Sequence, residues 1–458
     1  MSAIAPGVEA TPTMTKRRTH RTMRPSGARE LGDIPTHWDL KRLRFIGRMN
    51  PSKSDVSSLP VDTTVSFLPM ERIGEDYSLS LEDTRMLGAV DQGYTYFRDD
   101  DVIVAKITPC FENGKGSLCR GLVNGIGFGT TELHVIRAGS DVTPSFLAYV
   151  TMSHGFRLLG TASMKGAAGQ QRVPDDFIKN YLVPLPPLEE QQAITAFLDH
   201  ETAKIDALIA KKERMIEVLN EHRLALIQRA VTKGIDRIDQ WKPSGIGWIG
   251  DIPMDWEVWK VSHAFGFIAS GTTPSTTVYD YYDGDVPWVN TAELRDGLVT
   301  GTAKKVTQKA LADHSSLRIY QPGTLLIALY GATIGRLGIL DIAATTNQAC
   351  CALSEPIHLS ISFVFYWLLA HRNQLILLAS GGGQPNISQD IIRSLQIPAP
   401  SVSKQSEIAH YLDKKVARID PLISKIGSHI TALHEHRSAL ISAAVTGKID
   451  IREDVSRW

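Results

Sequence analysis

The sequence predicts an α+β protein built twice from one design, with two mixed α/β domains and two long helices packed as an antiparallel coiled coil. Residues 183–236 and 397–450 align without a gap at an offset of 214, and 25 of their 54 positions are identical. In both segments apolar residues recur at intervals of three and four, the spacing of a coiled-coil seam. The two observations together predict a pseudo-two-fold internal duplication.

A second, shorter repeat marks where each half begins. Ser26, Gly27, residues 32–35 and Trp38 match Ser244, Gly245, residues 250–253 and Trp256 at an offset of 218. The repeats divide the chain into six segments. These are a disordered N-terminal tail (1–30), a first variable domain (31–182), a first helical region (183–243), a second variable domain (244–396), a second helical region (397–450) and a C-terminal tail (451–458).

Each helical region is expected to form one helix that starts after its prolines and ends near Gly234 or Gly447. About 42 residues at a rise of 1.5 Å make a rod of roughly 60 Å. The predicted seam is Ile194, Leu198, Ile205, Leu208, Ile216, Leu219, Leu226 and Ala230 in the first copy, and Ile408, Leu412, Ile419, Leu422, Ile430, Leu433, Leu440 and Ala444 in the second. A single rod leaves its apolar stripe exposed, so we expect the two copies to pack on each other.

A polar triplet also recurs outside the seam. Glu221, His222 and Arg223 in the first copy reappear as Glu435, His436 and Arg437 in the second. An ion-pair lattice along each helix accounts for part of this repetition. A partner-binding surface that is present twice accounts for it at least as well, and we nominate these six residues for that role.

The variable domains carry mixed signals that are typical of β-rich α/β structure. Residues 102–107 and 325–330 are apolar runs that predict buried strands, and many Gly, Asp, Asn and Thr residues between such runs predict turns. Residues 146–159 and 363–378 have apolar residues at helical spacing, so we expect a helix in each domain.

Charge and hydropathy exclude several classes of protein. The 49 basic and 49 acidic side chains give a formal charge of zero, and this argues against a histone-like, non-specific nucleic-acid binder. Residues 1–30 carry a local excess of basic residues. The longest apolar run, residues 361–370, is far shorter than a membrane span of about 18 residues or more, and no secretory segment opens the sequence. We therefore expect a soluble, cytoplasmic protein.

The motifs of the common catalytic centres are missing from the sequence. It has no phosphate-binding loop, no Asn-Pro-Pro-aromatic motif for amino-group methylation, no nuclease carboxylate cluster and no H-E-x-x-H. Its four cysteines fit neither a disulfide framework nor a C-x2-4-C zinc site. We expect a non-catalytic chain without a metal or cofactor of its own.

A set of linked motifs resembles the type I restriction–modification specificity subunits. The resemblance extends over about residues 26–450 and rests on the motifs Gly169 to Ile178, Pro184 to Gln191, Ala230 to Thr232, Gly234 to Asp236, Ser244 to Pro253 with Trp256, Ser270 to Pro274, Pro287 to Val289 and Gly331 to Arg336. The two copies also differ. Residues 67–71 stand where the second domain has its Ser-Gly-Thr-Thr-Pro opening, and residues 401–404 replace the Pro-Leu-Glu-Glu of the first copy.

The resemblance implies a DNA-recognition subunit that is not an enzyme. Two target-recognition domains would each read one half of a bipartite, asymmetric site in double-stranded DNA, and the helices would fix the separation of the half-sites. Each conserved region would dock one of two methyltransferase subunits that bring S-adenosylmethionine. Restriction subunits with ATP and Mg²⁺ would then join. The difference between the two openings implies that the domains read different sequences.

By analogy with the family's Gly-rich loops, we nominate polar residues of the variable domains as DNA contacts, because such side chains reach base edges and phosphates. They are Lys106, Thr108, Lys115, Lys165, Gln170 and Arg172 in the first domain, and Thr272, Thr273, Tyr330, Thr333, Arg336, Gln384 and Asn386 in the second.

Two alternatives remain open. A self-contained DNA methyltransferase or nuclease would bind S-adenosylmethionine as an isolated chain. A coiled-coil scaffold without a nucleic-acid role suits the neutral charge, but it leaves the two divergent domains on matching helices without a purpose.

Overall fold

The two long helices form as predicted. The computed structural model describes residues 19–167, 169–379 and 385–452, and its long helices are Leu188–Lys233 and Val402–Val445. The chain divides into two units, one comprising Met1–Lys212 with Ser428–Trp458 and the other Glu213–Gly427. Each unit therefore contains a stretch of both long helices. Among the described residues, no helix has both the length and the apolar character that crossing a membrane requires.

The first unit holds a mixed set of short strands and helices. Its strands are β1 (Met23–Pro25), β2 (Asp33–Pro35), β3 (Asp39–Arg42), β4 (Gly47–Met49), β5 (Thr64–Leu68), β6 (Thr84–Met86), β7 (Thr95–Arg98), β8 (Asp101–Ala105), β9 (Gly116–Leu118), β10 (Ile126–Gly129), β11 (Leu133–Ala138) and β12 (Leu182–Leu185). Its helices are α1 (Leu43–Ile46), α2 (Leu87–Val90), α3 (Pro144–Met152), α4 (His154–Ser163) and α5 (Asp175–Asn180), and the long helix α6 (Leu188–Lys233) belongs to this unit up to Lys212.

Two four-stranded sheets form the centre of the first unit. One has the order β4-β11-β8-β9 and is antiparallel throughout. The other has the order β6-β5-β10-β7 and contains one parallel pair, β5 with β10. Every residue of β8 is buried, as expected for a continuous apolar run in the middle of a sheet. Two small antiparallel pairs, β1-β2 and β12-β3, complete the unit.

The second unit repeats this organisation. Its strands are β13 (Trp241–Pro243), β14 (Asp251–Pro253), β15 (Glu257–Lys260), β16 (Phe265–Ser270), β17 (Tyr282–Val289), β18 (Gly297–Val299), β19 (Lys305–Val306), β20 (Leu325–Ala328), β21 (Leu337–Leu340), β22 (Thr345–Thr346), β23 (Cys350–Pro356) and β24 (Gln396–Ala399). Its helices are α7 (Val261–Ala264), α8 (Gln308–Asp313), α9 (Ile361–Ala370), α10 (Arg372–Leu377) and α11 (Gln389–Ser394), and α12 is the long helix Val402–Val445.

The main sheet of the second unit has five strands in the order β16-β23-β20-β21-β18, and a separate three-stranded sheet has the order β19-β17-β22. The antiparallel pairs β13-β14 and β15-β24 correspond to β1-β2 and β3-β12 of the first unit. β13 lies 218 residues after β1, whereas β24 lies 214 residues after β12. The duplication found in the sequence is thus a duplication of structure.

The predicted helix of each variable domain is broken in two. Ser153 ends α3 and caps α4, because its Oγ accepts a hydrogen bond from the backbone N–H of Phe156. In the second unit, His371 separates α9 from α10. The apolar pattern continues across both breaks, which is why the sequence alone predicted a single helix.

Most of the predicted seam is buried, with a shift of one position in the middle. Ile205 and Ala230 are buried, but Leu422 is 51% exposed. Its neighbour Ile423 is half-buried, and the matching residue of the first copy, Ile209, is buried. A helix of 3.6 residues per turn drifts against a strict seam, so the packed face passes to the neighbouring residue. The prediction for Leu422 was therefore wrong.

The N-terminal tail also differs from the prediction of disorder over residues 1–30. Met23–Pro25 is strand β1, which pairs with β2, and His20 is buried. The sequence around residues 23–25 is polar and gives no strand signal of its own. The strand forms by pairing with β2, which belongs to the short repeat that follows. Residues 1–18, which carry part of the basic excess, lie outside the described residues.

Candidate functional site

Five of the six residues nominated in the first unit come together at one end of β8. Ile107 and Lys165 each form a backbone bridge with Arg172. Thr108 N–H donates to the carbonyl of Gln171 at 3.0 Å, and Val173 N–H donates to the carbonyl of Lys106 at 2.8 Å. Residues 165–167 and 169–172 are therefore held against the chain that leaves β8. This brings Lys106, Thr108, Lys165, Gln170 and Arg172 into one polar surface.

The charge of this surface is partly balanced. The Nε and Nη2 atoms of Arg172 donate to the two carboxylate oxygens of Glu132, each at 2.9 Å. These hydrogen bonds lower the pKa of Glu132. No ion pair to Lys106 or Lys165 is formed within residues 19–167, 169–379 and 385–452. The ammonium groups of Lys106 and Lys165 thus lie near the guanidinium of Arg172, which is bound to a carboxylate.

Lys115 does not share this arrangement. Its Nζ donates to the carbonyl of Met70 at 2.9 Å, and its own carbonyl accepts from Ala105 N–H at 3.1 Å. The side chain therefore holds a neighbouring segment in place. Its nomination as a DNA contact stays a prediction.

The second unit builds an equivalent surface from different side chains. Tyr330 and Asn386 form a backbone bridge, and Ile387 N–H donates to the carbonyl of Leu329 at 2.8 Å. Thr333 lies in the turn that follows Tyr330, and the exposed Arg336 lies just after that turn. Gln384 was also nominated, and it lies outside the described residues.

The remaining nominated residues of the second unit, Thr272 and Thr273, follow β16. Thr273 Oγ1 donates to the side-chain oxygen of Gln348, and the carbonyl of Thr272 accepts from the indole N–H of Trp288 at 3.2 Å. The neighbour of Gln348, Ala349, accepts from Leu329 N–H at 2.8 Å. Through these contacts the two threonines lie close to the strand end that carries Tyr330.

Sequence reasoning missed a buried glutamine that joins each variable domain to its long helix. The Nε2 of Gln191 donates to the carbonyls of Asp141 and Pro186, both at 2.9 Å, and its Oε1 accepts from Thr143 N–H at 2.8 Å. Gln405 makes the same three contacts, with His358, Pro400 and Ser360. The available signal was identity: glutamine stands at this position in both copies.

A tyrosine–aspartate contact repeats in the same manner. Tyr149 donates its hydroxyl hydrogen to Asp199 at 2.6 Å, and Tyr366 donates to Asp413 at 2.6 Å. Burial, with the aspartate as a further cause, raises the pKa of both tyrosines above the usual value. Each pair connects the helix of the variable domain to the long helix that follows it.

The residues nominated for partner binding divide into two groups. Arg223 and Arg437 form ion pairs within the chain, Arg223 Nε with Asp420 Oδ1 at 2.9 Å and Arg437 Nε with Asp206 Oδ1 at 3.0 Å. The arginines therefore serve helix packing first. Glu221, His222 and Glu435 are exposed and His436 is half-buried, so these four side chains remain accessible.

One cluster could hold a metal, which the sequence did not predict. His20, His37 and Glu190 each offer a ligand atom, and these atoms lie within 4.8 Å of one another. The residues are far apart along the chain and follow no motif, so spacing could not find them.

The comparisons with known proteins agree with this architecture. A family model described as "Type I restriction modification DNA specificity domain" matches residues 93–218 and 253–431. The specificity subunit of the type I restriction enzyme EcoAI from Escherichia coli is 43% identical over 164 residues, which is 35% of this chain and 27% of that protein. The chain thus spans about a quarter of the length of the EcoAI subunit, and the same holds for the EcoEI subunit.

Two further matches extend over nearly the whole chain. A Methanocaldococcus jannaschii protein assigned as the MjaX type I restriction enzyme specificity subunit is 24% identical over 431 residues, covering 92% of this chain and 96% of that protein. A solved structure from work on complex assembly and conformational transition of the type I R-M system superposes with a TM-score of 0.67 at 20% identity, covering 91% of this chain and 99% of the other. At that identity the superposition shows a shared fold. Because the family model matches more than half of the chain, the protein belongs to the type I restriction modification DNA specificity domain family.

Proposed function

We propose that this chain is the DNA sequence-recognition subunit of a type I restriction–modification complex and has no catalytic activity of its own. Each variable domain reads one half of a bipartite, asymmetric site in double-stranded DNA. The paired helices set the separation of the half-sites. Membership of the specificity-domain family supports this function, as does the duplicated architecture.

The observation that carries the proposal is that the two units present different side chains at an equivalent place. Val173 and Ile387 are 214 residues apart, and each donates its backbone N–H at 2.8 Å to the chain leaving a central strand. The residue before each of them is Arg172 in one unit and Asn386 in the other. Arginine reads guanine through two hydrogen bonds, and asparagine reads adenine in the same way. Two similar domains that present different base-contacting side chains suit a DNA site whose two halves differ in sequence.

The ion pair between Arg172 and Glu132 suggests how discrimination arises in the first unit. Glu132 already satisfies the guanidinium with two acceptor atoms at 2.9 Å. A DNA base that replaces Glu132 has to offer two acceptors in similar geometry, as the O6 and N7 of guanine do. Lys106 and Lys165 would contact phosphates and fix the register without reading sequence.

The other components of the proposed complex bring the chemistry. Two methyltransferase subunits with S-adenosylmethionine would dock on the helical regions, where Glu221, His222, Glu435 and His436 are accessible. Restriction subunits with ATP and Mg²⁺ would complete the assembly in the cytoplasm. This chain contributes recognition and spacing.

The proposal is tested on the complex with its modification subunits. The recognised sequence is first found by mapping methylated adenines in DNA from cells with and without an intact copy of this chain. Binding to that site and to a scrambled duplex is then measured over a range of salt concentrations. We expect Lys106→Ala with Lys165→Ala to weaken binding to both duplexes and to reduce the salt dependence, because phosphate contacts are lost. Lys41→Ala, a variant of a half-buried lysine that is paired with Asp141, serves as the control.

Two outcomes would contradict the proposal. Equal affinity for the mapped site and the scrambled duplex would favour a scaffold without sequence readout. Binding of S-adenosylmethionine by the isolated chain, measured by calorimetry, would favour a self-contained methyltransferase.

A further inference from the structure

A cluster of polar side chains in the first unit lies outside both the polar loop surface and the proposed docking residues. His37 Nε2 is 2.8 Å from Glu190 Oε2, and the ring centroids of His20 and His37 are 5.6 Å apart. Asp450 is close by, with Oδ2 at 3.8 Å from His20 Nδ1. The cluster joins the N-terminal segment, the start of α6 and the segment that follows α12.

Two buried atoms of this cluster lack a partner. His20 Nδ1 and Glu190 Oε1 are inaccessible to solvent and form no hydrogen bond to any residue that the structure describes. The side chain of His20 is 2% exposed and that of Glu190 is 8% exposed. A buried polar atom without a partner costs about 1–3 kcal/mol, so such atoms are rare in folded proteins. Here two of them lie on neighbouring side chains, where one further group could satisfy both.

The second unit shows what kind of group fits. At the position of Glu190 it has Lys404, whose ammonium lies 2.5 Å from Asp236, the counterpart of Asp450. The second unit thus supplies its own cation at this junction. In the first unit Arg452 binds Asp450 through Nη2 and Oδ2 at 2.6 Å. Among the described residues, His37 is the only ion-pair partner of Glu190, so no lysine or arginine neutralises its carboxylate.

We propose that His20, His37 and Glu190 bind one zinc ion, which fastens the N-terminal segment to the start of the long helix α6. Two imidazoles and one carboxylate are a donor set that Zn²⁺ favours, at about 2.0–2.2 Å from each ligand atom. Ligand atoms within 4.8 Å of one another reach such distances after small side-chain rotations. A water molecule fills the fourth position of the tetrahedron.

Neighbouring side chains fix the position of the His20 ring. The T-shaped contact between His20 and Trp38, at 5.8 Å between centroids, holds the ring in place.

The experiment uses the full untagged chain after treatment with a chelator. Zinc is titrated by calorimetry, and the thermal midpoint is followed with and without one equivalent of Zn²⁺. We expect binding of one ion per chain and a rise of several degrees in the midpoint, because a ligand that binds only the folded state stabilises it. Cobalt in place of zinc should give the visible absorption bands of a tetrahedral site.

Variants distinguish zinc binding at this site from zinc binding by other histidines of the chain. His37→Ala and Glu190→Gln should each weaken zinc binding at least tenfold and abolish the cobalt bands, and Glu190→Gln keeps the shape of the side chain if His37→Ala disturbs folding. Asp255→Ala, at the counterpart of His37, and His263→Ala, at an exposed histidine, should leave both readouts unchanged. No binding of Zn²⁺ at tens of micromolar, or equal binding by the wild-type chain and Glu190→Gln, would overturn the proposal.

Discussion

Arg437 and Asp206 form an ion pair across the two long helices, with Nε 3.0 Å from Oδ1. The duplicate of Arg437, 214 positions earlier, is Arg223, and the duplicate of Asp206, 214 positions later, is Asp420. These two residues also form an ion pair, with Nε 2.9 Å from Oδ1. Each pair lies within one unit. In each pair, an arginine from the C-terminal half of one long helix contacts an aspartate from the N-terminal half of the other. The helices therefore run antiparallel, as the sequence predicted.

The first prediction concerns this ion pair. Arg437→Ala should lower the stability of the first unit by about 1 kcal/mol, because the guanidinium is largely buried while Asp206 is half exposed. For a unit of this size the thermal midpoint should fall by roughly 2–4 °C. Exchanging the two residues, in Arg437→Asp with Asp206→Arg, should recover much of the loss. Arg214→Ala, at a residue with 65% side-chain exposure, should have little effect, and an equal loss in this control would contradict a specific contact.

The second prediction concerns the buried glutamine. Gln191→Ala leaves the backbone N–H of Thr143 and the carbonyls of Asp141 and Pro186 without their partner. We expect a loss of about 3 kcal/mol, measured by urea unfolding, because buried unsatisfied groups carry their full desolvation cost. The exposed neighbour Gln192 provides the control. If Gln192→Ala destabilised the chain as much as Gln191→Ala, the contacts of Gln191 would not be the cause.

The third prediction concerns pH. Burial lowers the pKa of His134, whose Nε2 is 2.9 Å from the carbonyl of Val173 and whose ring is also near Asp175, Lys106 and Glu132. With a folded pKa below the unfolded value of about 6.5, the unfolded chain binds the proton more readily. Stability should therefore fall as the pH drops below about 6.5. Thermal midpoints at pH 7.5 and 5.5 should differ less in His134→Gln than in the wild type, whereas His263→Gln should retain the full difference.

The fourth prediction concerns helix length. Inserting four residues after Lys212, with a matched insertion after the duplicate position Ile426, lengthens each helix by about 6 Å. Both insertion points lie between the two interhelical ion pairs, so the residues of each pair stay in register. The preferred spacer between half-sites should grow by one or two base pairs, as measured by mapping methylated sites. Replacing four residues without changing the length should leave the spacer as it was, and an unchanged spacer after the insertions would refute the role of the helices in setting it.

Periodicity and duplication predicted the elements that local sequence controls. The starts and ends of both long helices follow from the prolines before them and from Gly234 and Gly447 after them, and the central strands follow from their apolar runs. Leu422 was misplaced because a seam read at fixed intervals ignores the drift of a 3.6-residue helix.

The site was less predictable, because its contacts join distant parts of the chain. The nominated loop residues do gather, but nothing near Lys115 in sequence indicates that its ammonium binds the carbonyl of Met70. Similarly, His20 and Glu190 are 170 positions apart in the sequence, and only the folded structure shows them together. Contacts between residues far apart in sequence leave no periodic signal, except where duplication repeats them, as for Gln191 and Gln405.

The way each unit draws on both long helices has a consequence for truncated chains. The first unit buries Ile441 and Ala444 from the far end of the polypeptide in its own core. A product that stops near residue 240 would lack them, yet it would still carry their duplicates Ile227 and Ala230. In a pair of such half-length molecules, the long helix of each could supply the packing that the other lacks. We therefore expect the fragment to be stable as an intertwined homodimer with two copies of the first variable domain.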